Sequence, residues 1–322
     1  MPDHLGEFDL IARYFRRPAT AAVLGIGDDC ALLQAQAGTQ WAVSTDMLVE
    51  GRHFFAGADP RQLGHKALAV NLSDLAAMGA QPRAFLLALA LPAADPRWLG
   101  EFSAGLLGLA DAQGIELVGG DTTRGPLNLC LTVLGLVPDG LALRRDAARA
   151  GDELWVSGTP GDARLALGHL RGEWQLAPPA LDQVLPRLHA PQPRVALGLA
   201  LRGIAHAAID VSDGLLGDLG HVLRASGVGA RVDADAVPAS AALARQPLQR
   251  RRSCQLAGGD DYELLFTAPA QQRDAVLRAA AQAGVDVARI GDIVAGRAVL
   301  LHDAAGRELA PDYASFDHFA ER

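Results

Sequence analysis

Apolar residues recur along this chain with two periods. Some segments repeat every three to four residues, others alternate or run unbroken for a few positions, and the two kinds interleave. Leu5, Phe8, Ile11 and Phe15 share one face of a short helix over Leu5 to Phe15. From Lys66 to Ala80, Ala67, Val70, Asn71, Asp74, Leu75 and Met78 keep helical spacing, and Gly79 followed by Pro82 supplies a stop. Pro96 to Gln113 reads as a helix with Asp95 as N-cap, proline in the first turn and Gly114 as terminator. Strands are expected at Ala21 to Ile26, Trp41 to Ser44, Ala84 to Leu91, Ile115 to Val118 and Leu127 to Val137.

The second half continues the alternation. Strand Glu153 to Ser157 is followed by the turn GTPGD and a helix over Ala163 to Leu170. A helix over Arg194 to Leu201, strand Ala207 to Val211 and a helix closing at Ser226 before Gly227 come next. Strands at Gly229 to Val232, Tyr262 to Thr267, Val287 to Val294 and Arg297 to Leu301 surround a helix over Gln271 to Ala283. Residues 172 to 193 hold five prolines and take no assignment. Interleaved strands and helices indicate an α/β protein, and the polar, arginine-rich stretch Asp139 to Gly151 marks a join near residue 145. The expected domains are therefore residues 1–145 and 146–322.

Within this pattern Asp74 is an anomaly. A carboxylate on so apolar a helix needs a cation, a cluster of donors or a metal, because an unpaired buried charge costs several kcal/mol. Other acids join it at the ends of expected strands: Asp28, Asp29, Asp46, Asp121, Asp210, Asp213, Asp260 and Asp261. With the hydroxyls of Ser44, Thr45 and Ser212 nearby, these are hard oxygen donors that suit magnesium rather than a soft metal. Several carboxylates on one site imply several ions bridging a polyphosphate. Glycines in GIGDD, GGDTTRG and AGGDD let backbone approach a ligand closely. Arg124 and Arg145 adjoin acidic segments, where each either holds a phosphate or pairs with a neighbouring aspartate.

Composition narrows the chemistry. The 322 residues are 50% hydrophobic and 20% charged, and the mean hydropathy is +0.13, which describes a folded globular chain. The formal net charge of -8 disfavours a nucleic-acid surface. The longest apolar run, Ala84 to Leu91, falls short of a membrane span, and acids in MPDHLGEFDL argue against a signal peptide, so a cytoplasmic location is expected. Cys30, Cys130 and Cys254 are odd in number and widely spaced, which points away from a disulfide framework or a zinc site. Lys66 is the sole lysine and sits in GHKAL, which excludes a P-loop and a protein-kinase lysine. No GxSxG elbow or recognisable cysteine nucleophile supports acyl chemistry.

Six motifs in order, GIGDDCALL, VSTDMLVEGRHF, HKALAVNLSDLAAMGA, LVGGDTTRG, AIDVSDGLLGDLGH and LAGGDDYELLF, resemble the thiamine-monophosphate kinase family. That family lies in a superfamily with aminoimidazole ribonucleotide and selenophosphate synthetases. The resemblance runs from GEFDLIARYF to FDHF, nearly the whole chain. It implies two α/β domains of the aminoimidazole ribonucleotide synthetase type, with the N-terminal sheet paired across a homodimer, and ATP-dependent phosphorylation of thiamine monophosphate to the diphosphate. Carried over by position, it implies magnesium ligands at Asp29, Ser44, Thr45, Asp46, Asp74, Asp121, Asp210 and Asp213. It implies ATP contacts at Gly120, Asp121, Arg145 and Ser212, and substrate contacts at His53, Asp260 and Phe316. Two of these depart from the family pattern: Asp260 stands where a glutamate is usual, and Phe316 where the aromatic is often tyrosine or tryptophan. Selenophosphate synthetases need a reactive residue in a mobile N-terminal segment, and residues 1 to 29 hold no cysteine. Hydrogenase maturation relatives use a C-terminal cysteine that SFDHFAER lacks.

Overall fold

A computed structural model describes residues 7–18, 20, 22–26, 30–310 and 313. Over these the chain divides into two compact units: Met1–Leu75 with Ala80–Gly140, and Ala76–Gly79 with Leu141–Arg322.

The first unit begins with the short helix α1 (Glu7–Leu10), which continues as a wide π turn over Ile11–Phe15, and a small pair β1 (Ala22–Leu24) and β2 (Leu32–Leu33). Its body is a four-stranded sheet of β3 (Thr39–Val49), β4 (Gln81–Leu91), β5 (Glu116–Arg124) and β6 (Asn128–Pro138), in the order β3-β6-β4-β5. β3 and β4 both run antiparallel to β6, while β4 and β5, joined through helix α3 (Pro96–Gln113), are parallel. The N-cap of α3 forms as its sequence indicates: the Asp95 side chain accepts from Arg97 N at 2.9 Å, and Gly114 closes the helix at φ 64°.

Helix α2 (Pro60–Ala77) begins earlier than its apolar spacing suggested and packs closely on α3. A Cβ on Gly64 would lie 2.1 Å from Phe102 O, and one on Gly105 1.9 Å from Arg61 O, so glycine is what permits this approach. Leu68, Leu72, Leu75, Phe85, Phe102, Leu106, Leu129 and Leu131 fill the buried core.

β3 is longer than the expected Trp41 to Ser44. It pairs with β6 from Thr39↔Pro138 to Val49↔Asn128, and its alternation continues inward through Ser44, Asp46 and Leu48. Asp46 and Asp121 therefore lie within strands rather than in loops that follow them. On the opposite face of β3, Trp41, Val43 and Met47 are exposed.

The second unit is built on a six-stranded sheet of β7 (Asp152–Ser157), β8 (Ala207–Asp210), β9 (Gly229–Asp233), β10 (Leu264–Pro269), β11 (Val287–Val294) and β12 (Val299–His302), ordered β12-β9-β11-β7-β10-β8. Its pairings are antiparallel except β12 with β9. Helix α4 (Asp162–Leu170) follows β7. The proline-rich stretch forms α5 (Pro178–His189), with Pro178 and Pro179 in the first turn and Pro186 inside it, and α6 (Val195–Ala200) comes next. Helices α7 (Leu215–Ser226), α8 (Ala241–Ala244), α9 (Leu248–Ala257) and α10 (Arg273–Ala283) complete the unit. One core joins Leu215, Leu219 and Val222 of α7 to Leu154, Ile209, Leu265 and Ile290 of the sheet. A second gathers Ala163, Ala166, Val184, Leu188 and Cys254 from α4, α5 and α9. Among the described residues no helix is long and apolar enough to cross a membrane.

Candidate functional site

In the first unit the inward row of β3 meets α2. The Ser44 hydroxyl donates to Asp74 Oδ2, and Asp46 N donates to Asn71 Oδ1 at 3.0 Å, while Asn71 Nδ2 is itself held by Ala67 O at 2.9 Å. Ser44, Asp46 and Asp74 are thus brought to one strand–helix seam, and all three are half-buried. The need of Asp74 for a donor is met there. Thr45 points to the other face of the sheet, where its hydroxyl lies 2.6 Å from that of Thr132.

Asp121, on β5, is exposed and stands in register with Ala88 of β4. Gly120 before it has φ 147°, and a Cβ there would lie 1.9 Å from Leu87 O, so the GGD motif needs glycine at this place. His53 is in the turn after β3. Its Nδ1 accepts from Val49 N at 3.0 Å, so the neutral ring carries its proton on Nε2. Asp29 and Phe316 lie outside the described residues.

In the second unit Asp210 is the buried last residue of β8, followed by the turn Ser212 to Gly214. Three amides of that turn, Ser212 N, Asp213 N and Gly214 N, each donate at 3.1 Å to Asp218 Oδ2 on α7. Asp218 thereby sets the turn that presents Ser212 and Asp213. Burial pushes its carboxyl up to about 6, against the opposing pull of the amides. Arg145 is exposed, and its carbonyl accepts from Ser226 Oγ at 2.8 Å.

The second GGD opens a denser cluster. Fully buried Glu263 is held by Arg194, by Arg187 and by the Ser157 hydroxyl. These cations hold its carboxyl below the usual range although burial alone would raise it. Its neighbour Asp261 is equally buried and accepts from Gly161 N at 2.7 Å, and burial pushes its carboxyl well up. Asp260 and Tyr262, between and beside them, are half-buried.

Among the described residues no three histidine, cysteine or carboxylate side chains are gathered closely enough to hold a metal ion by themselves. Magnesium does not demand that, since it binds through one or two carboxylates together with substrate phosphates and water. Paired hard donors such as Asp74 and Asp46 beside Ser44 fit that habit.

Residues 27–137 match the family described as AIR synthase related protein, N-terminal domain, and residues 149–303 its C-terminal domain. Over 98% of its length the chain is 47% identical to the thiamine-monophosphate kinase of Escherichia coli (strain K12), covering 98% of that protein. The chain belongs to the thiamine-monophosphate kinase family. Another thiamine-monophosphate kinase, from Caulobacter vibrioides, is 40% identical over 97% of the chain and 90% of its own length. Among solved structures, the thiamine-monophosphate kinase of Stenotrophomonas maltophilia K279a superposes with a TM-score of 0.84 at 49% identity, covering 90% of this chain and 93% of that one. AaThiL complexed with AMPPCP and TMP gives 0.78 at 28% identity, covering 89% of each chain. The hydrogenase maturation protein HypE of E. coli shares the fold, with a TM-score of 0.77 at 24% identity over 98% and 97% of the two chains.

Arg187, Arg194, Glu263 and Asp218 escape the motif reading. The two arginines fall at or beside a proline-rich stretch whose helix is hidden by its composition. Asp218 has a readable signal, a carboxylate in the first turn of α7 after the loop SDG, which is the pattern of a helix-end acceptor.

Proposed function

We infer that this chain transfers the γ-phosphoryl group of ATP to the phosphate of thiamine monophosphate, giving thiamine diphosphate and ADP. The observation that carries this is full-length identity of 47% to a thiamine-monophosphate kinase, reaching 98% of both chains. It is supported by a relative whose solved structure is complexed with AMPPCP, an ATP analogue, and TMP.

The acceptor is a phosphate oxygen already anionic at neutral pH, so no general base is required of the chain. What the protein must overcome is repulsion between two polyanions. On our reading Asp29, Ser44, Asp46, Asp74 and Asp121 of the first unit, and Asp210 and Asp213 of the second, are the residues that would hold Mg²⁺, whereas the Thr45 side chain, on the other face of β3, stands apart from Ser44 and Asp46. When bound, that cation offsets charge on the phosphates and favours in-line alignment. Ser44 contributes by fixing the Asp74 carboxylate, and Asn71 by fixing the β3 backbone at Asp46. Asp218 contributes by locking the turn that carries Ser212 and Asp213.

Gly120, Asp121, Arg145 and Ser212 are assigned to ATP. Gly120 and Arg145 are both exposed, and Arg145 supplies a guanidinium for a phosphate. His53, Asp260 and Phe316 are assigned to thiamine monophosphate, with the His53 Nε2 proton able to donate to its phosphate.

We assign residues 1–145 to ATP and magnesium binding and to dimerisation. The exposed apolar row Trp41, Val43 and Met47 supports a homodimer in which a second copy covers this face. The free thiols of Cys30, Cys130 and Cys254 accord with a cytoplasmic enzyme.

The test is incubation of purified protein with Mg·ATP and thiamine monophosphate, followed by chromatography. Thiamine diphosphate is the expected product. Calorimetric binding of Mg·ATP with the monophosphate left unconsumed would instead identify a nucleotide-binding scaffold.

A further inference from the structure

Among the described residues, the non-glycine positions with left-handed backbone are Asp260, at φ 68°, and Tyr262, at φ 53°. Aspartate tolerates that region; a bulky aromatic resists it. Such a pair persists only where its surroundings impose it, and here they do so thoroughly. Asp260 N donates to Ser212 O at 2.9 Å, Tyr262 N to Val211 O at 2.8 Å, and Val211 N to Glu263 O at 2.8 Å.

The side chains between complete the anchor. Asp261 is tied to Gly161 N and Glu263 to Arg187, Arg194 and Ser157, both acids being buried. A Cβ on Gly259 would lie 2.5 Å from Ser212 O, so the loop is pressed onto the turn beneath it. The remaining pair, Asp260 and Tyr262, keep partial exposure, and the Tyr262 hydroxyl donates to Asp260 Oδ1 at 3.0 Å. What the strain secures is a phenol seated on a carboxylate.

We propose that Tyr262 is a positioning residue whose hydroxyl fixes the Asp260 carboxylate against the thiamine half of the acceptor, whose thiazolium ring carries a permanent positive charge. This rests on the reading that Asp260 contacts that substrate. A carboxylate already oriented by a neighbouring hydroxyl loses little rotamer freedom when the ligand arrives.

The experiment is steady-state kinetics of Tyr262→Phe, Asp260→Ala and the double variant, with thermal midpoints. Tyr262→Phe raises KM for thiamine monophosphate by about three- to tenfold, while KM for ATP and kcat change by less than about twofold and the thermal midpoint holds. Asp260→Ala raises the same KM at least as far, and adding Tyr262→Phe to it has no further effect. If Asp260→Ala raises that KM and Tyr262→Phe does not, the positioning role is overturned and the Asp260 contact survives. If neither variant moves it, the Asp260 contact itself is wrong and the proposal goes with it. A lowered midpoint with both KM values raised alike assigns Tyr262 a structural role and likewise overturns the proposal.

Discussion

Arg194 Nε donates to Glu263 Oε2 at 2.6 Å, joining the residue before α6 to the residue before β10. Arg187 of α5 reaches the same carboxylate, which is wholly buried. Removing the acid leaves two largely buried guanidiniums without their shared carboxylate. Glu263→Ala is therefore expected to destabilise the protein by about 3–5 kcal/mol, read by urea unfolding. A change below roughly 1 kcal/mol would mean the triad is solvated in solution.

Asp74→Asn keeps an oxygen that accepts from the Ser44 hydroxyl but loses the negative charge. The expected result is a fall in kcat of about 10²–10³-fold with an unchanged thermal midpoint, and a higher magnesium concentration for half-maximal rate. Near-wild-type turnover would refute the ligand role given to Asp74.

The carboxyl of Asp218 is raised from its ordinary value of 3.8 to about 6. The folded state then holds this proton more tightly than the unfolded chain does, so the contribution runs against stability as pH rises. It is absent below about pH 4, grows between pH 4 and 6, and reaches roughly 3 kcal/mol of lost stability above that window. Asp218→Asn does not titrate, yet keeps an oxygen for the three amides. In metal-free buffer, the stability of wild type relative to this variant is expected to fall between about pH 4 and 6. A flat difference would show that the amide donors outweigh burial.

Val43 is 60% exposed on the outer face of β3. Val43→Asp should leave the protomer folded by circular dichroism and shift the sedimenting species from dimer to monomer. An unaltered dimer would place the interface elsewhere.

Much of this fold is legible in the sequence because its signals are local. Asp95, Pro96 and Gly114 declare both ends of α3, and apolar alternation marks the strands. What escapes is set by tertiary pairing. β3 runs on through Asp46 because β6 offers eleven residues of matching register, something no local pattern contains. Asp74 announces itself as an acid on an apolar helix, whereas Glu263 sits in an ordinary apolar run and becomes conspicuous only when Arg187, from a helix masked by prolines, and Arg194, at the start of the next helix, converge on it. The left-handed backbone at Tyr262 has no sequence signal either, since tyrosine is a poor residue for it.

The central claim is transfer of a phosphoryl group between two phosphates, and ³¹P nuclear magnetic resonance of the protein with Mg·ATP and thiamine monophosphate tests it most directly. We predict that the γ-phosphate signal of ATP disappears as the two coupled signals of thiamine diphosphate and those of ADP grow in equal amounts, with no inorganic phosphate released. Inorganic phosphate appearing alongside ADP, with the monophosphate signal unchanged, would contradict it.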